Sequence, residues 1–165
     1  MTSVASNGGA DATAAAVRIR PFAVPDTEAV VALWRECGLV VPWNDPYRDI
    51  ERKLQVQPEL FLVAEQVPDA PDGDAELVGT AMVGYDGHRG WVNYLAVSGA
   101  LRGGGLGRRL MAEAEHLLLE RGCPKLNLQV RSTNTAVIEF YHRLGYEPDA
   151  AVSLGKRLIP DVPAG

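Results

Sequence analysis

Four glycines and two arginines are concentrated in one stretch of seven residues, Arg102-Gly103-Gly104-Gly105-Leu106-Gly107-Arg108. The apolar run Leu95-Ala96-Val97 precedes this stretch, and a helical pattern follows it. The first turn of a helix leaves backbone N–H groups unpaired and carries partial positive charge, and glycines have no Cβ that would keep an anion away. The stretch therefore predicts a phosphate or pyrophosphate site, to which the two arginines would add charge-assisted hydrogen bonds. The alternative is a flexible connection between a strand and a helix.

Two familiar phosphate-binding loops do not fit this stretch. A dinucleotide loop needs Gly-x-Gly-x-x-Gly, but counting from Gly103 the last position is an arginine. A P-loop needs a lysine directly after its last glycine, and here another glycine takes that position. The spacing that does fit is Arg-x-x-Gly-x-Gly, from Arg102 to Gly107.

A second helical pattern further along the chain carries a tyrosine on its apolar face. Asn134 begins a helix that ends near Leu144, and its apolar face holds Val137, Phe140 and Tyr141. The position of Tyr141 on this face is typical of a core aromatic residue whose hydroxyl has a hydrogen-bond partner.

Hydrophobic periodicity predicts the elements that would position these residues. Apolar runs predict strands at 17–20, 60–65, 77–85, 91–97, 125–130, near Tyr146 and at 152–158. Apolar residues three and four positions apart predict helices at 25–37, 45–57, 106–121 and 134–144. The order βααβββαβαββ predicts one mixed α/β (α+β) domain, with a mostly antiparallel sheet and flanking helices.

The composition excludes several classes of protein. The chain has 165 residues, 47% apolar and 22% charged, which fits one ordinary globular domain. The net charge of −5 argues against nucleic acid binding, and no apolar run reaches the ~18 residues of a membrane span. The two cysteines have no spacing typical of a metal site, so we expect no metal and a cytoplasmic location with reduced thiols. Residues 1–16 are expected to form a disordered tail without a secretory signal.

The Arg-x-x-Gly-x-Gly spacing closely resembles the acetyl-coenzyme A loop of the GNAT superfamily of N-acetyltransferases. In that family the loop follows a Leu-x-Val strand end, which Leu95 and Val97 match. The family element Phe-Tyr-x-x-x-Gly-Phe/Tyr is matched by residues 140–146. The resemblance covers about residues 17–158. Three further stretches are similar to a narrower bacterial subgroup typified by YpeA: 42–46, 85–90 and 153–158.

This resemblance implies a GNAT-like acyl-CoA N-acyltransferase domain over residues 17–165, with acetyl-CoA as the cofactor. The strands at 91–97 and 125–130 would splay apart into a groove for the pantetheine arm. Asn134 would contact the pantetheine amide, and Tyr141 would protonate the leaving thiolate. The residues that would bind acetyl-CoA are Leu95, Ala96, Val97, Arg102, Gly103, Gly104, Gly105, Leu106, Gly107, Arg108, Asn134 and Tyr141.

The resemblance also implies a primary amine as acceptor, either a small molecule or a peptide N-terminus. An α-amine with a pKa of about 8 becomes neutral far more readily than a lysine with a pKa of about 10.4. The strand at 91–97 carries no carboxylate, so a low-pKa acceptor or a base acting through water is favoured. The residues expected to contact the acceptor are Trp43, Asn44, Asp86, His88 and Asn93. The alternatives are a non-catalytic acyl-CoA-binding module and an interaction domain that uses the apolar segment 39–43, within a homodimer.

Overall fold

The structure is a computed structural model, and it describes residues 15–70 and 72–162. Within these ranges the strands are β1 Val17–Pro21, β2 Phe61–Gln66, β3 Glu76–Tyr85, β4 Gly90–Val97 and β5 Leu126–Asn127. The α-helices are α1 Thr27–Glu36, α2 Pro46–Leu54, α3 Leu106–Glu120 and α4 Thr135–Arg143. Short 3-10 helices occur at Val24–Asp26, Pro58–Leu60 and Gly99–Leu101. Most of the expected tail, residues 1–14, lies outside the described residues.

The strands form one sheet in chain order. Strands β1 to β4 pair antiparallel, and β5 joins the edge of β4 in parallel. Because successive side chains of a strand point to opposite faces, β2 buries Leu62 and Ala64 on one face and Phe61 and Val63 on the other. Helices α3 and α4 cover the first face, and α1 and α2 cover the second. The predicted mixed α/β fold with a mostly antiparallel sheet is confirmed.

Local contacts begin helix α2, and a contact with a distant strand holds the chain just after its end. Asp45 accepts a hydrogen bond of 2.9 Å from an N–H of the first turn, and Pro46 occupies the first helical position. The prediction that this helix continues to Gln57 is wrong, because Gln57 has a φ of +51° and lies outside the helix. Its side-chain amide instead makes two hydrogen bonds of 2.9 Å with the backbone of Tyr85.

The sheet ends earlier in the chain than the sequence predicts. The expected strand at 125–130 is only two residues long, and the expected strands near Tyr146 and at 152–158 do not form. A strand requires a neighbour that pairs its backbone groups, and an alternating apolar pattern does not supply one. No described strand lies beside this segment, and the apolar residues that suggested it are exposed: Val152, Leu154 and Leu158.

The last described residues are tied to α2 instead. The enclosed carboxylate of Asp161 accepts a hydrogen bond of 2.9 Å from the backbone N–H of Asp45 and pairs with Arg52 at 2.5 Å. The Arg52 guanidinium, helped by that backbone N–H, lowers the pKa of Asp161 to about 2. The chain after α4 therefore returns to the start of α2.

Candidate functional site

Strands β4 and β5 diverge after a short contact. Gly90 and Trp91 pair with β5, and no described strand continues this ladder beyond them. From Val92 onward, the edge of β4 that faces away from β3 is therefore open. Residues from both sides of the opening, Asn93 on β4 and Gln129 after β5, line one cavity. This opening corresponds to the splayed groove that the resemblance implies.

A β-bulge lies in β4 at the start of this open edge. Thr80 of β3 is opposite Ala96, but Met82 is opposite Asn93, so β4 contains one extra residue. Tyr94 accommodates it with a φ of +51°. A bulge bends its strand and changes which side chains point to each face. The open edge of β4 is thus bent away from the regular ladder.

Buried side chains on the second face hold the bulge in place. Trp34 Nε1 donates a hydrogen bond of 2.9 Å to Thr80 Oγ1, whose hydroxyl donates one of 2.8 Å to the Tyr94 carbonyl. The Trp34 ring also stacks on Tyr94, with ring centroids 3.8 Å apart. As a result the side chains of Leu95 and Val97 face the α3 side of the sheet.

The glycine loop leads from β4 into α3, which confirms the predicted strand, loop and helix. Gly103 and Gly105 have φ values of +81° and +84°, and a Cβ at either position would meet no atom within 4 Å. The first helical hydrogen bond runs from the Arg109 N–H to the Gly105 carbonyl. The N–H groups of residues 105–108 consequently have no backbone acceptor among the described residues. Unpaired donors beneath open space fit the pyrophosphate of acetyl-CoA.

The side chains around the loop contribute unequally. A Cβ on Gly107 would come within 3.2 Å of the Phe140 ring, so this glycine allows α3 and α4 to approach closely. Arg108 is exposed beside the unpaired N–H groups. Arg102 points back along the chain, with its Nε 3.5 Å from the Val97 carbonyl. Arg102 therefore has to turn before it can contact a phosphate.

Helix α4 carries the two remaining residues expected to contact acetyl-CoA. The Asn134 side-chain oxygen accepts a hydrogen bond of 3.4 Å from a first-turn N–H, which leaves its amide NH₂ group free to donate. Tyr141 is 8% exposed and packs edge-on against Phe140 and Tyr146. Its hydroxyl has no hydrogen-bond partner among the described residues. Every fully buried polar side-chain atom of those residues does have a partner, so the Tyr141 hydroxyl is in contact with solvent. Burial raises the pKa of Tyr141 to about 12.

A cavity of about 660 Å³ opens beside the bulge. Of the residues expected to contact an acceptor, Trp43, Asn44 and Asn93 line it together. Trp43 and Asn44 come from the connection between α1 and α2, and Trp43 is 57% exposed. This space, called the β4 cavity below, has the size of a small-molecule site.

Asp86 and His88 do not line the β4 cavity. They lie in the turn between β3 and β4, where the Asp86 carboxylate accepts hydrogen bonds from the backbone N–H groups of His88 at 2.8 Å and Arg89 at 2.7 Å. The Arg89 N–H, followed by that of His88, lowers the pKa of Asp86. The structure thus gives Asp86 a role in holding the turn, and contact of these two residues with an acceptor stays a prediction.

The structure brings one carboxylate to the β4 cavity that the sequence analysis did not identify. Asp49 of α2 accepts a hydrogen bond of 2.6 Å from the Tyr94 hydroxyl and one of 3.1 Å from Arg52. Burial, followed by this hydrogen bond, raises the pKa of Tyr94. No local pattern marks Asp49, because its partner on β4 is 45 residues away in the chain.

Other kinds of site have no support within the described ranges. No group of three or more His, Cys, Asp or Glu side chains there could hold a metal ion. None of the helices in residues 15–70 and 72–162 is long and apolar enough to cross a bilayer. Cys37 and Cys123 are both free thiols.

Comparison with known proteins relates this arrangement to one family. The family model described as "Acetyltransferase (GNAT) family" matches residues 27–146. Acetyltransferases of Pectobacterium atrosepticum and Yersinia enterocolitica are each 50% identical over 145 residues, which is 88% of this chain and 98% of each relative. A Yersinia pestis protein described as an uncharacterized N-acetyltransferase has the same identity over the same length.

Solved structures share the fold. Ard1 from Thermoplasma volcanium has a TM-score of 0.64 and 23% identity, over 82% of this chain and 85% of that chain. The aminoglycoside N-acetyltransferase AAC(6')-Iy in complex with CoA has a TM-score of 0.66 and 17% identity, over 87% of this chain and 96% of that chain. At these identities the likeness shows the fold alone.

Proposed function

The chain belongs to the acetyltransferase (GNAT) family and is an acyl-CoA-dependent acetyltransferase with acetyl-CoA as its cosubstrate, and we propose that it acetylates a primary amine bound in the β4 cavity. The observation that carries this proposal is the succession of three features along β4 and the loop after it. Asn93 lines the cavity, the open edge of β4 follows at Leu95–Val97, and the unpaired N–H groups follow at 105–108.

The proposed binding mode of acetyl-CoA uses these features in the same order. The pyrophosphate is held by the N–H groups of 105–108, with Arg108 beside them and Arg102 turned toward them. The pantetheine arm pairs with the open backbone edge at Leu95–Val97. The Asn134 amide donates to a pantetheine carbonyl, and the thioester end then lies at the β4 cavity.

The proposed reaction is direct attack in a ternary complex. When bound, acetyl-CoA supplies a thioester: the amine nitrogen bonds to its carbonyl carbon, the carbon–sulfur bond breaks, and coenzyme A leaves as the thiol. No cysteine or serine of the described chain lines the β4 cavity, which supports a mechanism without an acetylated enzyme. In this proposal the backbone N–H groups at the open edge near Val97 stabilise the developing oxyanion.

Tyr141 is the proposed acid for the departing sulfur. Its raised pKa keeps the phenol protonated at every working pH. A thiol in water has a pKa of about 8.5, so proton transfer to a fully solvated thiolate would be uphill. Burial raises the pKa of a thiol in the same direction, which narrows the difference within the site. We expect the hydroxyl to donate a hydrogen bond as charge develops on sulfur and to pass its proton during expulsion. The acetylated nitrogen releases one proton as the amide forms, and the phenolate regains a proton from water.

Asp49 is the proposed group that receives the amine. Its carboxylate lines the cavity and attracts the ammonium form, and the amine must then lose one proton before it can attack. The proton passes to solvent through water at the carboxylate, because the cavity is open. Asp49 thus supplies a carboxylate to the site, since β4 itself carries none.

Two measurements test the proposed function. Acetyl-CoA at about 100 times its Kd should stabilise the fold by about 2.7 kcal/mol, measured as a shift in melting temperature. Thiol release measured with a panel of primary amines should then show turnover. A flat melting curve up to millimolar acetyl-CoA would refute cofactor binding at the loop. A clear shift without thiol release from any amine would favour the non-catalytic acyl-CoA-binding module.

We also propose the finer expectations that accompany this activity. The acceptor is either a small molecule or a peptide N-terminus, and the further inference below narrows its chemistry. A homodimer is also proposed, and light scattering tests it. A cytoplasmic location agrees with the two free thiols and is tested by fractionation. Membership of the YpeA-type subgroup stays a prediction.

A further inference from the structure

The walls around the β4 cavity are basic, although the whole chain has a net charge of −5. The β4 cavity shares Trp43 and Arg52 with a neighbouring cavity of about 590 Å³, formed by residues 155–159 and called the C-terminal cavity here. The charged residues that line the two cavities are one acid and five bases: Asp49, Arg52, Lys53, Arg131, Lys156 and Arg157.

Three of these bases already have partners. Arg52 lies between Asp49 at 3.1 Å and Asp161 at 2.5 Å. The ammonium of Lys53 donates to a backbone carbonyl and is buried, and burial lowers its pKa. Arg157 is 4.0 Å from Asp161 and donates to the side chain of Asn44. These contacts belong to the framework that ties the chain end to α2.

The other two bases, Arg131 and Lys156, form no ion pair with any residue in the described ranges. Arg131 lies in the extended chain after β5, where Leu128 and Val130 pack on the core. Because side chains alternate along an extended chain, Gln129 and Arg131 point the other way, into the β4 cavity. Lys156 lines the C-terminal cavity. One exposed cation, Arg131, therefore lines the cavity that the acceptor would occupy, and a second, Lys156, lines the cavity next to it.

We infer that the acceptor amine carries a carboxylate, which Arg131 and Lys156 bind while the amine lies toward Asp49. The inference rests on the proposed function and names its class of substrate. Basic walls attract a carboxylate and repel a polycation, and like charges placed together in a site are strongly unfavourable. Asp49 is bonded to Tyr94 on β4, whereas Lys156 lies in the neighbouring cavity. A zwitterionic acceptor can therefore pair its amine with Asp49 and its carboxylate with the cations of the two adjoining cavities.

The test uses matched acceptors that differ in one remote charge. γ-Aminobutyrate is compared with its amide. Alanyl-glutamate is compared with alanyl-glutamine, both with an amidated C-terminus, so that they differ only in the side-chain carboxylate. Spermidine serves as a polycation. We expect the carboxylate member of a pair to have a kcat/KM about tenfold higher or more, which is the effect of one charge-assisted contact. The pair that shows the preference distinguishes a small molecule from a peptide. The preference should weaken with salt, since both cations are exposed.

Variants assign the effect to the named side chains. Arg131→Gln and Lys156→Gln should each raise KM for the carboxylate acceptor about tenfold. Both variants should leave KM for the matching amide and the affinity for acetyl-CoA unchanged. Arg143→Gln on α4 is the matched control, because it removes an exposed arginine that lines neither cavity and changes the net charge equally. The control should leave the preference intact.

Three outcomes would overturn the inference. The first is faster acetylation of spermidine or of the amides than of the carboxylates. The second is an unchanged preference in both cavity variants. The third applies if no amine is acetylated, a result that by itself contradicts the proposed function. In that case the carboxylate acceptors should still raise the melting temperature of the coenzyme A-loaded protein more than their amides do. Equal shifts in melting temperature would refute the charge argument.

Discussion

Replacing Tyr141 by phenylalanine separates the proposed acid from a core aromatic residue. The ring is 8% exposed and packs against Phe140 and Tyr146, and these contacts survive the change. The hydroxyl has no partner among the described residues, so its loss should change the free energy of unfolding by less than about 0.5 kcal/mol. A general acid contributes about 100- to 10,000-fold to a rate, or about 3–5 kcal/mol of barrier. We therefore expect a large fall in kcat with nearly unchanged stability and acetyl-CoA affinity.

Tyr146→Phe provides the matched control with the opposite pattern. The Tyr146 hydroxyl donates a hydrogen bond of 2.6 Å to Glu115, and burial followed by this carboxylate raises its pKa. Its removal should destabilise the fold by about 1 kcal/mol and leave turnover unchanged. The crossed result distinguishes loss of chemistry from loss of packing, since both variants keep an aromatic ring at the same cluster.

The assay combines steady-state kinetics with calorimetry for acetyl-CoA and urea unfolding. Because burial raises the pKa of Tyr141 to about 12, the group does not titrate in the accessible range. The ratio of wild-type to Tyr141→Phe turnover should therefore be constant from about pH 6 to 9. Turnover of the variant within about threefold of wild type, with chemistry shown to be rate-limiting, would refute the acid role.

Three further predictions follow from the loop, the bulge and the end of the chain. Gly105→Glu should weaken acetyl-CoA binding about a hundredfold, measured by calorimetry, while the domain stays folded. The control is Gly122→Glu, which has a φ of +74°, equally open space and the same backbone strain, and this variant should bind acetyl-CoA normally. Thr80→Val should destabilise the fold by about 2–4 kcal/mol in urea, because it leaves two buried polar groups without partners, and a loss under about 1 kcal/mol would show that the bulge does not depend on them. Asp161 has a folded pKa of about 2, below its unfolded value of about 3.9, so it stabilises the fold above pH 4 and this contribution disappears as the pH falls toward 2. Asp161→Asn should flatten that part of the acid unfolding curve, and identical slopes for both proteins would contradict the assignment.

The glycine loop and its helix were predictable because their signals are local. Glycines with left-handed φ, unpaired N–H groups and a helical apolar stripe all lie within a few residues of one another, so no distant contact is needed to form them. The N-terminal caps at Asp45 and Asn134 are local in the same sense. The position of Tyr141 on the apolar face of α4 also follows from spacing alone.

The bulge and the β4 cavity were not predictable from the sequence, because distant residues create them. The left-handed turn at Tyr94 depends on Trp34 and Thr80, which lie on α1 and β3. Asp49 reaches the site only because α2 packs beside β4. Nothing in the residues adjacent to either position indicates these contacts.

Periodicity and short spacing in the sequence predicted the class of fold, the glycine loop and the position of Tyr141 on its helix. Contacts between distant segments decide that β5 ends after two residues, that 152–158 is not a strand, and that Asp49, Arg131 and Lys156 line two neighbouring cavities. The physical reason is that an isolated pattern states what a segment prefers, whereas pairing and charge at a site depend on which neighbour the rest of the chain places beside it.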